Sequence, residues 1–263
     1  MVNIFGKYLF PCFALFLLAT SAWSQGPSET RAQLEPEAEQ ILALANQARA
    51  AAGAPPLKWD GALATAARKH TLRMAAEGPI AHRYPGELDL SERAGQAGAH
   101  FSVIEENVAV GPTPAEIHDE WMNSPGHRKN MLSPGVDRVG IAVVASRGVL
   151  YATADYGKGV LDLTATQIEE RVAELIRPSG LTILANPAMA REACKMESGV
   201  PRSASGATPG FVMRWQDSDL TSLPKNLVER LGSRQYHQAA IGSCSPTGVD
   251  GTFTAYRVAV LLY

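Results

Sequence analysis

The order of helical and extended stretches constrains this chain most. From Glu37 to Ala52 apolar residues (Ile41, Leu42, Leu44, Ala45, Ala48) recur at helical spacing until Gly53-Ala54-Pro55-Pro56 ends the pattern. A second helix is predicted from about Gly61 to Ala76, with Leu63, Ala66, Ala67, His70 and Met74 on one face and Gly78-Pro79 as its stop. A loop-rich stretch follows to about residue 104. Thr113-Pro114-Ala115-Glu116 then reads as an N-cap, a first-turn proline and a capping-box acid, opening a helix to about Asn123. After Pro125-Gly126 come a short helical turn, His127–Leu132, and two strands, Arg138–Ala145 and Val149–Tyr156, joined by Ser146-Arg147-Gly148. Helices first and paired strands after them exclude an alternating βαβ fold and predict the α+β class.

The first 24 residues are read separately, as a cleavable signal peptide. Lys7 is their only charge, the apolar stretch Tyr8–Ala19 is shorter than the roughly 20 residues a bilayer core requires, and Ala22-Trp23-Ser24 places small residues at the cleavage site. Residues 25–36 form a polar tether. This reading predicts a secreted protein, extracellular or periplasmic, with no transmembrane span after processing. It also changes the cysteine count, because Cys12 leaves with the peptide and Cys194 and Cys244 remain as a pair in an oxidising compartment, where a disulfide between them is expected. The formal charge of −2 becomes −3, still near neutral, which excludes a nucleic-acid partner.

After Gly159 the texture changes. Thr166-x-x-Glu169 is predicted to open a helix through Ile176, and residues 198–210 are rich in Ser, Gly and Pro, so 159–207 reads as a connecting helix and polar linker. Residues 208–263 read as a small α/β module: Phe211, Met213 and Trp215 alternate as a strand, Leu223–Leu231 is helical, and Gln235–Gly242 and Phe253–Leu262 are strands. No internal repeat is evident.

No GxSxG, HExxH, P-loop or GxGxxG pattern is present, so the common hydrolase, zincin and nucleotide-binding readings lack support. Five of the six histidines lie between residues 70 and 127. Imidazole with carboxylate is the residue set of an acid/base pair or a divalent-metal site. His70, sharing a helix face with Leu63, Ala67 and Met74, reads as an interior histidine. His100 and His118 read as surface residues, and Trp121 as core.

Leu57-Lys-Trp59-Asp-x-x-Leu63, His82, Glu105-Glu106-Asn107-Val108-Ala109-Val110-Gly111, Trp121-Met-Asn-Ser-Pro-Gly-His127-Arg128-Lys-Asn130-Met-Leu132 and Val139-Gly140-Ile-Ala resemble, in order and spacing, the bacterial branch of the CAP superfamily of cysteine-rich secretory, antigen 5 and pathogenesis-related 1 proteins. The resemblance covers roughly residues 38–158 and sets the boundaries of a CAP-like domain at 37–158. It implies an α-β-α sandwich around an antiparallel central sheet, and a cleft built on His82, Glu106 and His127 with Asn107 and Ser124 beside them. Ser124 stands where the family has its second glutamate. The resemblance further implies a secreted, non-catalytic binding protein whose His82 and His127 can hold a divalent cation such as zinc, and whose ligand is a lipid or sterol or another cell-envelope component. The apolar helices 37–52 and 61–76 are candidates to line a lipid groove. One alternative is a metal-assisted hydrolase with Glu106 as general base. The other is an interaction module using Phe211, Trp215 and Tyr236 of the C-terminal unit. Ser124 reads as the N-cap of the short helix, and Arg128 and Asn130 as residues that tie down the loop carrying His127.

Overall fold

The computed structural model describes Met1 and residues 35–201, 208–247 and 252–263. The signal peptide expected at 1–24, its Cys12 and nearly all of the tether at 25–36 lie outside the described residues.

Helices α1 (Pro36–Ala51) and α2 (Gly61–Glu77) flank the two-residue strand β1 (Lys58–Trp59). Asp60 caps α2 by accepting from the amides of Ala62 and Leu63, which satisfies two of the amides that a helix start leaves unpaired. Then come α3 (Leu90–Gln96), β2 (Phe101–Gly111), α4 (Pro114–Asn123), α5 (Pro125–Leu132), β3 (Arg138–Ser146) and β4 (Val149–Gly159). Arg147 and Gly148 both have positive φ, 53° and 80°, so a two-residue turn joins β3 to β4.

These strands form a sheet of order β1-β3-β4-β2, antiparallel except that β1 runs parallel to β3. On one face Ile41 and Ala45 of α1, Ile117 and Trp121 of α4 and Met131 of α5 pack with Val139, Ile141 and Ala154. On the other, α2 and α3 pack through Leu63, Ala66 and Ala94 with Phe101, and through Met74 with Val108 and Tyr151. The expected α-β-α sandwich is present. Because α1 and α2 occupy opposite faces, they cannot together line a lipid groove; their buried apolar residues are core.

The stretch expected as a connecting helix and linker supplies elements to a second sheet. Helix α6 (Ala165–Ile176), strand β5 (Thr182–Ile183) and helix α7 (Ala188–Lys195) precede β6 (Phe211–Asp217), α8 (Lys225–Gly232), β7 (Gln238–Cys244) and β8 (Tyr256–Leu262). The capping box of α6 is Thr164 with Gln167, two residues before the expected Thr166 and Glu169. Glu169 instead takes Arg191 of α7 through both oxygens, at 2.7 Å each. Phe211, Trp215 and Tyr236 pack against this half's own core, with Arg230 over the Phe211 ring.

The second sheet has order β5-β7-β8-β6, with β5 parallel to β7 and the other pairs antiparallel. This repeats the first sheet strand for strand. Helices α6 and α8 pack on one face and α7 on the other, as α1 and α4 do opposite α2. The repeat reaches single residues. A Cβ on Gly140 of β3 would lie 1.9 Å from the amide nitrogen of Ala64, the fourth residue of α2. A Cβ on Gly242 of β7 would lie 2.1 Å from that of Arg191, the fourth residue of α7. The C-terminal half is therefore a reduced copy of the same topology, which no sequence repeat disclosed.

The disulfide expected between Cys194 and Cys244 is present, with a Cα–Cα distance of 5.9 Å, and ties α7 to the end of β7. Closing a loop of this length limits the unfolded chain by about 4 kcal/mol in the chain-entropy account. The Cys194→Ser/Cys244→Ser variant is accordingly expected to lose most of that in urea unfolding; a midpoint equal to the wild type's would show the bridge to be dispensable.

Candidate functional site

The cleft runs along the edge strand β2, between α5 and the loop that links α2 to α3. Glu106 of β2 points toward the α2 side and is 6% exposed. His82 Nδ1–H donates to its Oε1 at 2.8 Å, and Arg93 Nη2 donates to its Oε2. Arg93 is almost wholly buried and also donates through Nη1 to the carbonyls of His82 and Leu88. One guanidinium thus fixes both the carboxylate and the loop that presents His82. Sequence reading missed Arg93, which lies outside every motif.

Asn107, the next residue of β2, points to the opposite face and is fully buried. Its Nδ2 donates to the carbonyl of His127 at 2.9 Å, and its Oδ1 accepts from Asn130 Nδ2 at 3.0 Å. Asn130 also donates to the carbonyl of Glu106, so the two asparagines hold α5 against the strand edge. Arg128, expected to share that task, is exposed. Ser124 occupies the N-cap position of α5 without making a side-chain cap bond, and lies in the cleft wall instead. The cleft encloses about 660 Å³ and is also lined by Arg83, Asp89, Leu90 and Lys129.

The two histidines are tuned apart. The hydrogen bond to Glu106 raises the His82 pKa above its usual 6.5. Burial lowers that of His127, reinforced by the nearby His82 and opposed by Glu120. His82 is 60% exposed at its side chain, whereas His127 Nδ1 is buried with no partner among the described residues. The shifts run in opposite directions, so as pH falls His82 takes up a proton before His127 does.

Both Glu106 oxygens already accept hydrogen bonds, so a cation drawing on Glu106 as well as on His82 and His127 would compete with the Arg93 guanidinium. Among the described residues no group of three or more His, Cys, Asp or Glu is placed to hold a metal ion.

His70 is fully buried, with Nδ1 bonded to Glu87 and Nε2 to the carbonyl of Ala81, both at 2.8 Å. It anchors the loop that carries His82. His100 is exposed. His118, expected at the surface, is only 12% exposed at its side chain. Trp121 is core, and its indole donates to the carbonyl of Val108.

Residues 42–156 match the family model for the CAP, or cysteine-rich secretory protein, family. An uncharacterized protein of Bacillus subtilis strain 168, YkwD, is 31% identical over 112 residues, which are 42% of this chain and 44% of that protein. An uncharacterized membrane protein of the same organism, YlbC, is 31% identical over 109 residues, 40% of this chain and 31% of that protein. The chain thus spans less than half the length of the curated relatives it matches. Among solved structures, an outer surface protein from Borrelia burgdorferi is 18% identical with a TM-score of 0.44, over 47% of this chain and 92% of that one. An extracellular protein with an SCP domain from Bacillus anthracis is 27% identical with a TM-score of 0.43, over 46% of this chain and 39% of that one.

Proposed function

We propose, for a chain whose residues 42–156 belong to the CAP superfamily, that the protein is an exported binding protein and that the cleft of His82, Glu106 and His127 takes up a polar cell-envelope ligand without turning it over. The observation that carries this is the state of Glu106. A general base must reach a water in the cleft, and here Glu106 is 6% exposed and already accepts from His82 and from the buried Arg93. The hydrolase alternative would need that carboxylate released. What Glu106 does instead is set the tautomer of His82, leaving Nε2 toward the cleft.

The charged side chains around the cleft, Arg83, Asp89, Glu106 and Lys129, support a ligand that carries polar groups, with Leu90 offering it an apolar contact. Neutral His82 presents Nε2 as an acceptor, and once protonated it donates there while His127, with its lowered pKa, is still neutral, so the pair suits a hydroxyl or amide ligand. Export is supported by the apolar amino-terminal segment and by the Cys194–Cys244 bridge; no helix among the described residues is long and apolar enough to cross a membrane.

Calorimetric titration with soluble wall glycopeptides, phosphatidylglycerol vesicles and zinc chloride tests the proposal. Saturable binding is expected for the glycopeptides, weakened about tenfold in His127→Ala, which corresponds to the loss of one hydrogen bond to a polar ligand. The unfolding midpoint should be unchanged. Hydrolytic turnover that disappears in Glu106→Gln, or glycopeptide binding indifferent to His127→Ala, would overturn it.

A further inference from the structure

Asp155 lies at the centre of β4, fully buried, between Gly140 of β3 and Glu106 of β2 in the ladder register. Residues directly opposite share a face, so the Asp155 and Glu106 carboxyls both point to the α2 side. Among the described residues neither oxygen of Asp155 has a hydrogen-bond donor. The charged groups around it are few. From β2 comes Glu106 and from α3 comes Arg93, whose Nη2 is spent on Glu106, whose Nη1 is spent on two carbonyls and whose buried Nε makes no hydrogen bond to Asp155 or to any other described residue. From β3 comes Gly140, with no side chain. Toward α2, the neighbouring Thr153 is hydrogen-bonded to Thr71 and brings no charge.

A carboxylate in this position would be both desolvated and set against a second carboxylate, and two carboxyls so placed share one proton. Burial and the adjacent Glu106 push Asp155 well above the usual carboxylate range. The acceptor facing its hydroxyl is Glu106.

We propose that Asp155 is a neutral, proton-bearing carboxyl that donates to Glu106 and, through it, positions the His82 imidazole in the cleft. Glu106 then receives donors from three elements: Asp155 on β4, Arg93 on α3 and His82 on the loop after α2. Its side chain has no freedom left, and the His82 ring is held with its proton on Nδ1 and Nε2 facing the cleft. In the C-terminal copy the same row of positions reads Gly242, Ala259 and Arg214. The acid pair is replaced there as a unit, and Arg214 bonds the carbonyls of Ala193 and Gly199 instead.

The inference rests on the cleft described above, but it is tested on the free protein, so failure of any ligand to bind leaves it standing. Carbon-13 labelling of aspartate carboxyls in the full chain is expected to show one resonance with the shift of a protonated acid at neutral pH, absent in Asp155→Asn. If every aspartate of the folded wild type shows a carboxylate shift there, the proposal is overturned without need of a variant. Asp155→Asn exchanges one neutral donor for another, so the His82 titration midpoint should stay in place; a clear fall, the mark of a lost negative charge, would overturn it. Asp155→Leu removes the donor and is expected to reduce the fraction of neutral His82 carrying its proton on Nδ1, read by nitrogen-15 NMR. Identical His82 tautomer ratios in the Asn and Leu variants would reduce Asp155 to a packing residue.

Discussion

Gly140→Ala is expected to destabilise the protein by about 3 kcal/mol or more, the upper range for overpacking a rigid contact. The new methyl carbon would sit 1.9 Å from the Ala64 amide nitrogen and 2.2 Å from the Leu63 carbonyl carbon. The obstruction is helix backbone rather than the end of a flexible side chain, so no rotamer change relieves it. The first turn of α2 would have to lift from the sheet, and Asp155 and Glu106 lie in the same row as Gly140. Gly242→Ala should cost a similar amount, because its methyl carbon would sit 2.1 Å from the Arg191 amide and 2.2 Å from the Ala190 carbonyl carbon. Urea unfolding at constant slope measures both. Loss of less than about 0.5 kcal/mol, within the range of neutral surface changes, would mean that helix and strand are not in the contact described.

Arg49→Met is expected to cost about 3–5 kcal/mol, the range for removing one partner from a buried charged network. Arg49 on α1 is fully buried, yet among the described residues its guanidinium forms no ion pair with a carboxylate. Its Nε donates to the Pro55 carbonyl at 2.7 Å, Nη1 to those of Met131 and Ser133 at 2.8 and 2.9 Å, and Nη2 to that of Val136 at 3.1 Å. Four carbonyls would lose their donor, among them those at the end of α5. Arg49→Lys should rescue little, since an ammonium cannot present the same fork. The cleft should loosen together with the fold, because His127 rides on α5; chemical shifts of His127 that match the wild type's in a folded Arg49→Met protein would deny that link.

The two residues behind these predictions show where sequence reading stops. Gly140 is visible as part of Val139-Gly140-Ile-Ala, but the need for glycine there comes from Ala64, a residue 76 positions earlier. Arg49 looks like an ordinary charged helix residue, and only the chain's return at 131–136 makes it a buried clamp. Local features were legible: the Thr113 cap, the start of α2 at about Gly61 and the Arg147-Gly148 turn depend on neighbours a few residues apart. The capping box of α6 was misplaced by two residues because Thr164 and Thr166 offer the same signal, and burial of Glu169 against Arg191 decided between them.

By itself, then, the sequence determined the α+β class, the family resemblance over roughly 38–158 and the pairing of Cys194 with Cys244, and it offered His82, Glu106 and His127 as candidates for a cleft. Each follows from short-range periodicity, a cap, a motif or a count. The tertiary structure alone decided that Arg93 closes off Glu106, that Asp155 stands beside it and that the C-terminal half repeats the first half's topology. The reason is physical. Those facts depend on which backbone rows face one another across a sheet, and strand order with its buried contacts can persist after every charged side chain in the row has been exchanged.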